Sequence, residues 1–177
     1  MIAKFDGLEK LTIKGCGYHS SPRKYTLYQQ TFHSLFANAV KGDILSNLQT
    51  LELNLEYQDT WFCQMEAYKH LPRLKRLAVL GAGIHSFRVQ NELICSSPLE
   101  ELSVYSCDIS SSGLINMLAI RRALKSLTFK GIPLSARLPL YLESIRQPYI
   151  NGIEQHAESL HTLDIDFCSH PATTAVP

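Results

Sequence analysis

Six short segments of the chain share one pattern of apolar residues, with leucine at positions one and four and another apolar residue at position six. Their sequences are LEKLTI, LQTLEL, LKRLAV, LEELSV, LKSLTF and LHTLDI, and they begin at Leu8, Leu48, Leu74, Leu99, Leu124 and Leu160. Successive segments are separated by 40, 26, 25, 25 and 36 residues. The three central spacings of 25 to 26 residues are typical of a solenoid, in which each unit adds one structural layer.

Each segment is predicted to be a short strand, because the side chains of a strand point alternately to its two faces. The fourth and sixth positions then face the core, while the third, fifth and seventh positions face solvent. The solvent-facing positions form the candidate binding surface. They are Lys10, Thr12, Lys14, Thr50, Glu52, Asn54, Arg76, Ala78, Leu80, Glu101, Ser103, Tyr105, Ser126, Thr128, Lys130, Thr162, Asp164 and Asp166.

The sequence between the segments predicts helical or irregular returns. Residues 28–40 and 59–70 carry apolar side chains at helical spacing, and the serines at 110–112 can cap a third helix that ends near residues 121–123. The proline-containing stretch 131–148 is predicted to be irregular. We expect residues 1–168 to form a single domain and residues 169–177 to be a disordered tail.

Charge and composition narrow the classes of partner. The chain has 17 basic and 16 acidic residues and a formal charge of +1, so no overall field attracts nucleic acid or an anionic membrane. The sequence shows no membrane-spanning run and no secretion signal, which predicts a cytoplasmic or nuclear protein. Its five cysteines include no C-x-x-C pair, so we expect reduced thiols and neither a disulfide framework nor a zinc site.

The ninth position of the segments, where the chain turns off the strand, carries a second signal. It is Cys16, Cys107 and Cys168 in three segments and Glu56, Ala82 and Ile132 in the others. The best match to a complete repeat is the stretch 99–131. There the cysteine is followed in order by an isoleucine, a polar cap, a Gly-Leu pair, a helical pattern and the next strand. In these features the chain resembles the cysteine-containing leucine-rich repeats of F-box proteins and, more broadly, the ribonuclease-inhibitor-like superfamily.

The resemblance implies an α/β fold, namely a right-handed leucine-rich-repeat solenoid of about six irregular repeats with a curved parallel sheet inside and helices outside. It also implies that the repeats recognise a protein substrate, while a separate F-box segment recruits a ubiquitin-ligase scaffold. Only seven residues precede Leu8, so we expect either a fragment of a longer F-box protein or a stand-alone adaptor. Recruitment of the scaffold is expected only if an F-box lies upstream in the native gene.

The residues expected to contact a protein partner lie on the concave face of the predicted solenoid. A basic end and an acidic end of this face can orient a partner of opposite polarity, and Leu80 beside Tyr105 forms a central apolar anchor. The alternative is a strand face that is merely solvated. The candidate residues are Lys14, Asn54, Arg76, Leu80, Glu101, Tyr105, Lys130, Asp164 and Asp166.

An enzyme is the alternative from a different class. An apolar strand followed by Gly81 and Gly83 imitates a dinucleotide-binding turn, which suggests a nucleotide-dependent oxidoreductase, but Ser86 occupies the sixth position of that fingerprint. Glu154, with His156 and His161, supplies acid and imidazole groups but no nucleophile, and the three turn cysteines belong to separate repeats. We therefore expect no catalysis, no metal and no cofactor.

Overall fold

Eight short strands are the main elements in the part of the chain that the structure describes. The computed structural model describes residues 5, 7–14, 45–55, 71–84, 98–110, 113, 117–118, 124–131, 147 and 150–166. Six strands have five residues each and are called the long strands, and two have only two residues. In chain order the strands are β1 (Lys10–Lys14), β2 (Thr50–Asn54), β3 (Arg76–Leu80), β4 (Gly83–Ile84), β5 (Glu101–Tyr105), β6 (Asp108–Ile109), β7 (Ser126–Lys130) and β8 (Thr162–Asp166).

The six long strands form one open parallel sheet in the order β1-β2-β3-β5-β7-β8. Each long strand therefore lies beside the next long strand in the sequence. Pairing is in register throughout, so that third positions align with third positions and seventh with seventh. The long strands coincide with positions three to seven of the six sequence segments, which confirms the predicted parallel sheet.

Burial alternates along the central long strands as the apolar pattern predicts. In β2, β3, β5 and β7 the fourth and sixth side chains are buried and the intervening ones are at least partly exposed. Phe129, which lies in β7 at position six of its segment, is completely buried. The core therefore lies on one face of the sheet and continues into the first-position leucines, such as Leu48 and Leu124.

A step here is the passage from one long strand to the next in the sheet. Backbone hydrogen bonds just before the long strands give every step the same geometry. The carbonyl at the second position of each segment accepts two bonds, from the N–H groups at the second and third positions of the next segment. Glu9 accepts bonds from Gln49 and Thr50 in this way, and Lys125 accepts bonds from His161 and Thr162. All five steps share this arrangement although their sequence spacings range from 25 to 40 residues. The extra residues of the long returns therefore do not disturb the sheet.

The turns after three of the long strands use left-handed backbone conformations. The eighth positions Gly81, Ser106 and Gly131 have φ angles of 71°, 49° and 61°. The N–H group of each donates to the seventh-position carbonyl of the next long strand, at 2.8 to 3.1 Å. Glycine adopts this conformation freely, whereas a residue with a Cβ atom is strained by about 1–2 kcal/mol. Ser106 therefore carries this strain. The hydrogen bond from its N–H to the Lys130 carbonyl holds the turn in this conformation.

A second, two-stranded ladder follows this turn and is stabilised by the thiol of Cys107. Strand β4 pairs in parallel with β6, and Cys107 lies just before β6 with no exposed surface. Its Sγ accepts a hydrogen bond from the N–H of Ala82 at 3.3 Å and lies 3.6 Å from the carbonyl oxygen of Val79. The thiol thus satisfies backbone groups of the preceding turn in the core, which explains a cysteine at position nine.

Helical residues are described in two of the returns. Gly113, Met117 and Leu118 are helical, and Ser110 Oγ accepts a hydrogen bond from the Gly113 N–H at 3.0 Å, as expected of the predicted serine cap. Gln147 and residues 150–154 are also helical. The predicted helices 28–40 and 59–70 and the predicted tail 169–177 lie outside the described residues, as does most of the stretch 131–148.

The turn at Gly131 provides a test of the strained geometry. A Cβ atom at Gly131 would lie 2.9 Å from Ser106 Oγ and would have a positive φ, so Gly131→Ala should lower the free energy of unfolding by about 1–2 kcal/mol. In a Ser106→Gly background the loss should be smaller, because the contact is removed. Urea unfolding of the four proteins measures this coupling. Gly7→Ala is the control: its Cβ would meet no atom within 4 Å, so its effect should stay within about 0.5 kcal/mol.

Candidate functional site

The third, fifth and seventh positions of the six long strands form one surface, here called the strand face. All nine candidate binding residues lie on it, because all occupy odd positions of in-register strands. Lys14, Arg76 and Asp166 are exposed, and the other six are partly buried. The structure therefore brings the candidate residues together on one side of the sheet, opposite the core.

The seventh positions form a row along the edge of the strand face where the long strands end. Its order is Lys14, Asn54, Leu80, Tyr105, Lys130 and Asp166. Leu80 pairs in register with Tyr105, and both side chains are partly buried. Neighbouring strands are about 4.8 Å apart, so these two side chains form a continuous apolar spot. The predicted adjacency of Leu80 and Tyr105 is confirmed.

Asn54, next to Leu80 in this row, holds an unsatisfied polar atom. Its Oδ1 is buried and has no hydrogen-bond partner, the only such side-chain atom in the part of the chain that the structure describes. A buried acceptor without a donor costs about 1–3 kcal/mol. Each unsatisfied group in a folded protein calls for an explanation, and a bond supplied by water, an ion or another molecule is one. Sequence reasoning selected Asn54 from its position in the repeat, but nothing in the sequence signalled the missing donor.

Three ion pairs cross between neighbouring long strands on the strand face. Lys10 Nζ lies 2.6 Å from Glu52 Oε1, Arg76 Nε lies 3.0 Å from Glu101 Oε2, and Lys130 Nζ lies 2.6 Å from Asp164 Oδ2. Four of these six residues, Arg76, Glu101, Lys130 and Asp164, are candidate binding residues. Their charges are therefore largely compensated within the protein before any partner arrives.

The ion pairs modify the predicted polarity of the strand face. Lys10 at the basic end and Asp164 at the acidic end are each neutralised by a neighbouring strand. Among the described residues, Lys14 and Asp166 make no side-chain ion pair. The unpaired charge of the strand face thus lies at its two outer corners, on β1 and β8.

The pKa values of two groups reflect these contacts. The hydrogen bond from Lys10 lowers the pKa of Glu52, helped by a second bond from Thr12 Oγ1 at 3.0 Å, and together they outweigh partial desolvation. The hydrogen bond to Asp164 raises the pKa of Lys130, and the nearby charge of Asp166 acts in the same direction. Both shifts favour the charged forms, so the ion pairs persist at neutral pH.

Three short side chains form a row across the middle of the strand face. The fifth positions of β3, β5 and β7 are Ala78, Ser103 and Thr128, which align in register. The Arg76–Glu101 ion pair lies on one side of this row, and the Leu80–Tyr105 spot lies on the other. The row combines residues from three separate segments, which the sequence placed on this face without indicating that small side chains adjoin one another there.

Two other kinds of site find no support in the described residues. No group of three or more His, Cys, Asp or Glu side chains there is arranged to hold a metal ion. The ranges that the structure describes also contain no helix long and apolar enough to cross a membrane. Of the turn cysteines, Cys107 accepts a hydrogen bond from the Ala82 N–H and donates one to the Tyr105 carbonyl, whereas Cys16 and Cys168 lie outside the described residues.

The acid and imidazole groups that suggested general-base chemistry do not share one environment. His156 is buried, with only 4% of its surface exposed, and its Nε2 lies 3.1 Å from the carbonyl oxygen of Leu118. Glu154 and His161 are exposed. Gly152 approaches Leu118 so closely that a Cβ atom would meet Leu118 Cδ1 at 2.7 Å. His156 therefore joins the two helical returns.

The glycines of the dinucleotide alternative belong to the repeat structure. Gly81 forms the left-handed turn after β3, and its N–H donates to the Tyr105 carbonyl at 3.0 Å. Gly83 is in β4 and pairs with Asp108. A dinucleotide-binding turn instead directs free N–H groups from the glycine loop towards a pyrophosphate. The geometry of Gly81 and Gly83 therefore favours the repeat interpretation.

The ion pair on β1 and β2 makes a pH-dependent contribution that titration can measure. Because the pKa of Glu52 is lower in the folded state, its ion pair stabilises the fold above the unfolded-state pKa, and this stabilisation is lost as the pH falls through the folded-state pKa. Lys10→Met should raise the pKa of Glu52 towards its ordinary value in an NMR titration of the side-chain carboxyl carbons. Lys14→Met should leave it unchanged, and an equal rise in both variants would contradict the assignment.

No protein-family model, no curated protein and no solved structure matched the chain. The functional interpretation therefore depends on the repeat pattern and on the geometry of the strand face.

Proposed function

We propose that the chain is a right-handed leucine-rich-repeat solenoid of about six irregular repeats. Five sequential, in-register parallel steps support this, because each return must bring the chain back to the same level of the sheet. Parallel crossover connections are right-handed in nearly all proteins. The buried thiol of Cys107 at the turn supports the resemblance to cysteine-containing repeats. On this proposal the sheet is curved, with the strand face on its concave side and the returns outside.

We infer that the strand face binds a segment of another protein. The observation that carries this proposal is the cluster of Asn54, Leu80 and Tyr105, in which a buried acceptor without a donor adjoins an apolar spot. A few residues supply most of the binding energy in protein interfaces, and tyrosine is enriched among them. A donor from the partner would satisfy Asn54 Oδ1, while an apolar partner side chain would cover Leu80 and Tyr105.

The charge of the strand face favours protein over nucleic acid as the partner. Four basic and four acidic side chains occupy its eighteen positions, and three pairs of them are already joined across neighbouring strands. Phosphate binding requires a concentration of uncompensated positive charge. The short side chains of Ala78, Ser103 and Thr128, aligned in register, instead let a partner backbone approach the sheet closely.

A peptide selection tests the proposed site and does not require the natural partner. Peptides selected from a displayed random library against the full chain should lose affinity by about tenfold or more for a Leu80→Glu, Tyr105→Ala double variant, because both anchors are lost. Titration calorimetry measures this, and circular dichroism checks that the double variant is folded. Glu158→Lys, in an exposed turn away from the strand face, is the control. Peptides that ignore the double variant but respond to Glu158→Lys would place binding elsewhere.

We propose substrate recognition within an F-box type ubiquitin ligase as the setting of this binding, with a stand-alone adaptor as the alternative. The cysteine-containing repeat pattern favours the ligase setting. Affinity capture of the full-length native gene product should recover a ligase scaffold, and deletion of any upstream F-box should abolish that recovery while retaining peptide binding. Retained peptide binding without any scaffold would reject the ligase setting and leave the adaptor.

A further inference from the structure

At both edges of the sheet, apolar side chains are exposed at positions whose equivalents in the middle are buried. Phe5 lies three residues before Leu8 and accepts its N–H bond, as Leu45 does for Leu48. Phe5 is 48% exposed, whereas Leu45 is 2% exposed. At the other edge Leu163, in position four of β8, is also 48% exposed, whereas Leu127 in position four of β7 is completely buried. Within the part of the chain that the structure describes, neither β1 nor β8 has a second neighbouring strand, which buries these positions elsewhere in the sheet.

The backbone groups at the two edges complement each other. At every internal step a second-position carbonyl accepts bonds from two N–H groups of the next segment. In the described part of the chain the equivalent carbonyl, that of His161, receives no such pair of bonds. The N–H groups of Glu9 and Lys10, which occupy the donor positions, likewise have no acceptor of this kind among the described residues. One edge thus offers the acceptor and the other offers the two donors of the same motif.

The charges and side-chain types of the two edges are also complementary. If β1 of a second copy continued the sheet beyond β8 in the same register, Leu163 would align with Leu11, and Asp166 with Lys14. Lys14 and Asp166 are the corner charges that form no ion pair within the described residues. A pairing of β8 with a second β8 would instead place acidic residues against each other, which disfavours a symmetric contact between identical edges.

We propose that copies of this chain associate head to tail, with β8 of one copy pairing in parallel with β1 of the next. The contact buries Phe5, Leu11 and Leu163, pairs Lys14 with Asp166, and completes the hydrogen-bond motif at His161. It is heterologous, so it leaves one free edge at each end and extends into a chain of copies unless the rotation between copies closes a ring. The strand face then continues from one copy to the next as a single, longer surface.

Edge variants test the direction of the association. Sedimentation velocity of the full chain under reducing conditions should show a mean mass that rises with concentration beyond that of a dimer. Leu163→Glu should block the β8 edge and Phe5→Glu the β1 edge, so each variant alone should be monomeric. An equimolar mixture should form a species of two chains and nothing larger, because each variant retains one competent edge.

Three results would overturn the proposal. They are a wild-type chain that stays monomeric at all concentrations, an association that neither edge variant affects, and self-association of either edge variant into a symmetric dimer. Circular dichroism and urea unfolding establish that both variants are folded. Both substituted side chains are already half exposed in the wild-type chain, so the charge replaces an apolar surface that water already reaches.

Charge reversals provide a second test that leaves the apolar core unchanged. Lys14→Glu and Asp166→Lys should each weaken association by about fivefold at low salt, because each sets like charges against each other at the junction. Combining both reversals in one chain should restore association. Lys75→Glu, the same charge change on the segment before β3 and away from both edges, should leave the association constant unchanged. Failure of the combined variant to recover would argue against the Lys14–Asp166 pairing and this register.

Discussion

A slip of one residue between any two of the long strands would turn the buried leucines of one strand towards solvent, because side chains alternate between the faces of a sheet. The register of the parallel pairing is therefore the constraint on which the other features depend. It is held by burial of the fourth and sixth side chains and by the second-position carbonyls, which bind two N–H groups at every step. The same bonds form across steps of 25 and 40 residues, so the returns vary in length without changing the sheet.

The register also determines what the strand face can do. Because equivalent positions of different repeats become neighbours, Lys10 reaches Glu52, Lys130 reaches Asp164, and Leu80 lies beside Tyr105. Charge is compensated across most of the surface, which leaves the apolar spot and the Asn54 acceptor as the distinctive features near its middle. The free charges remain on the outer strands, where the register would be extended by another copy.

Much of the fold and part of the site follow from the one-dimensional pattern. The positions of the long strands, the parallel sheet, the Ser110 cap, the burial of Cys107 and the adjacency of Leu80 and Tyr105 were all predictable, because each depends on local periodicity or on equivalent positions in neighbouring repeats. The ion pairs of Arg76 and Lys130 were not predicted, because the sequence shows which side chains are neighbours but not which rotamers bring their charged atoms together. The contact of His156 was not predicted for a related reason: its partner carbonyl, that of Leu118, is 38 residues away.

The sequence by itself determined the repeat, the inward and outward faces and the order of the long strands, because these need only the two-residue period of a strand and the requirement to bury leucine. Only the tertiary structure decided which outward groups are already satisfied, where the acceptor of Asn54 lacks a donor, and how far Phe5 and Leu163 remain exposed. Those properties depend on the distances between atoms of different repeats and on how much water each site excludes. Neither quantity is encoded in the pattern of any one segment.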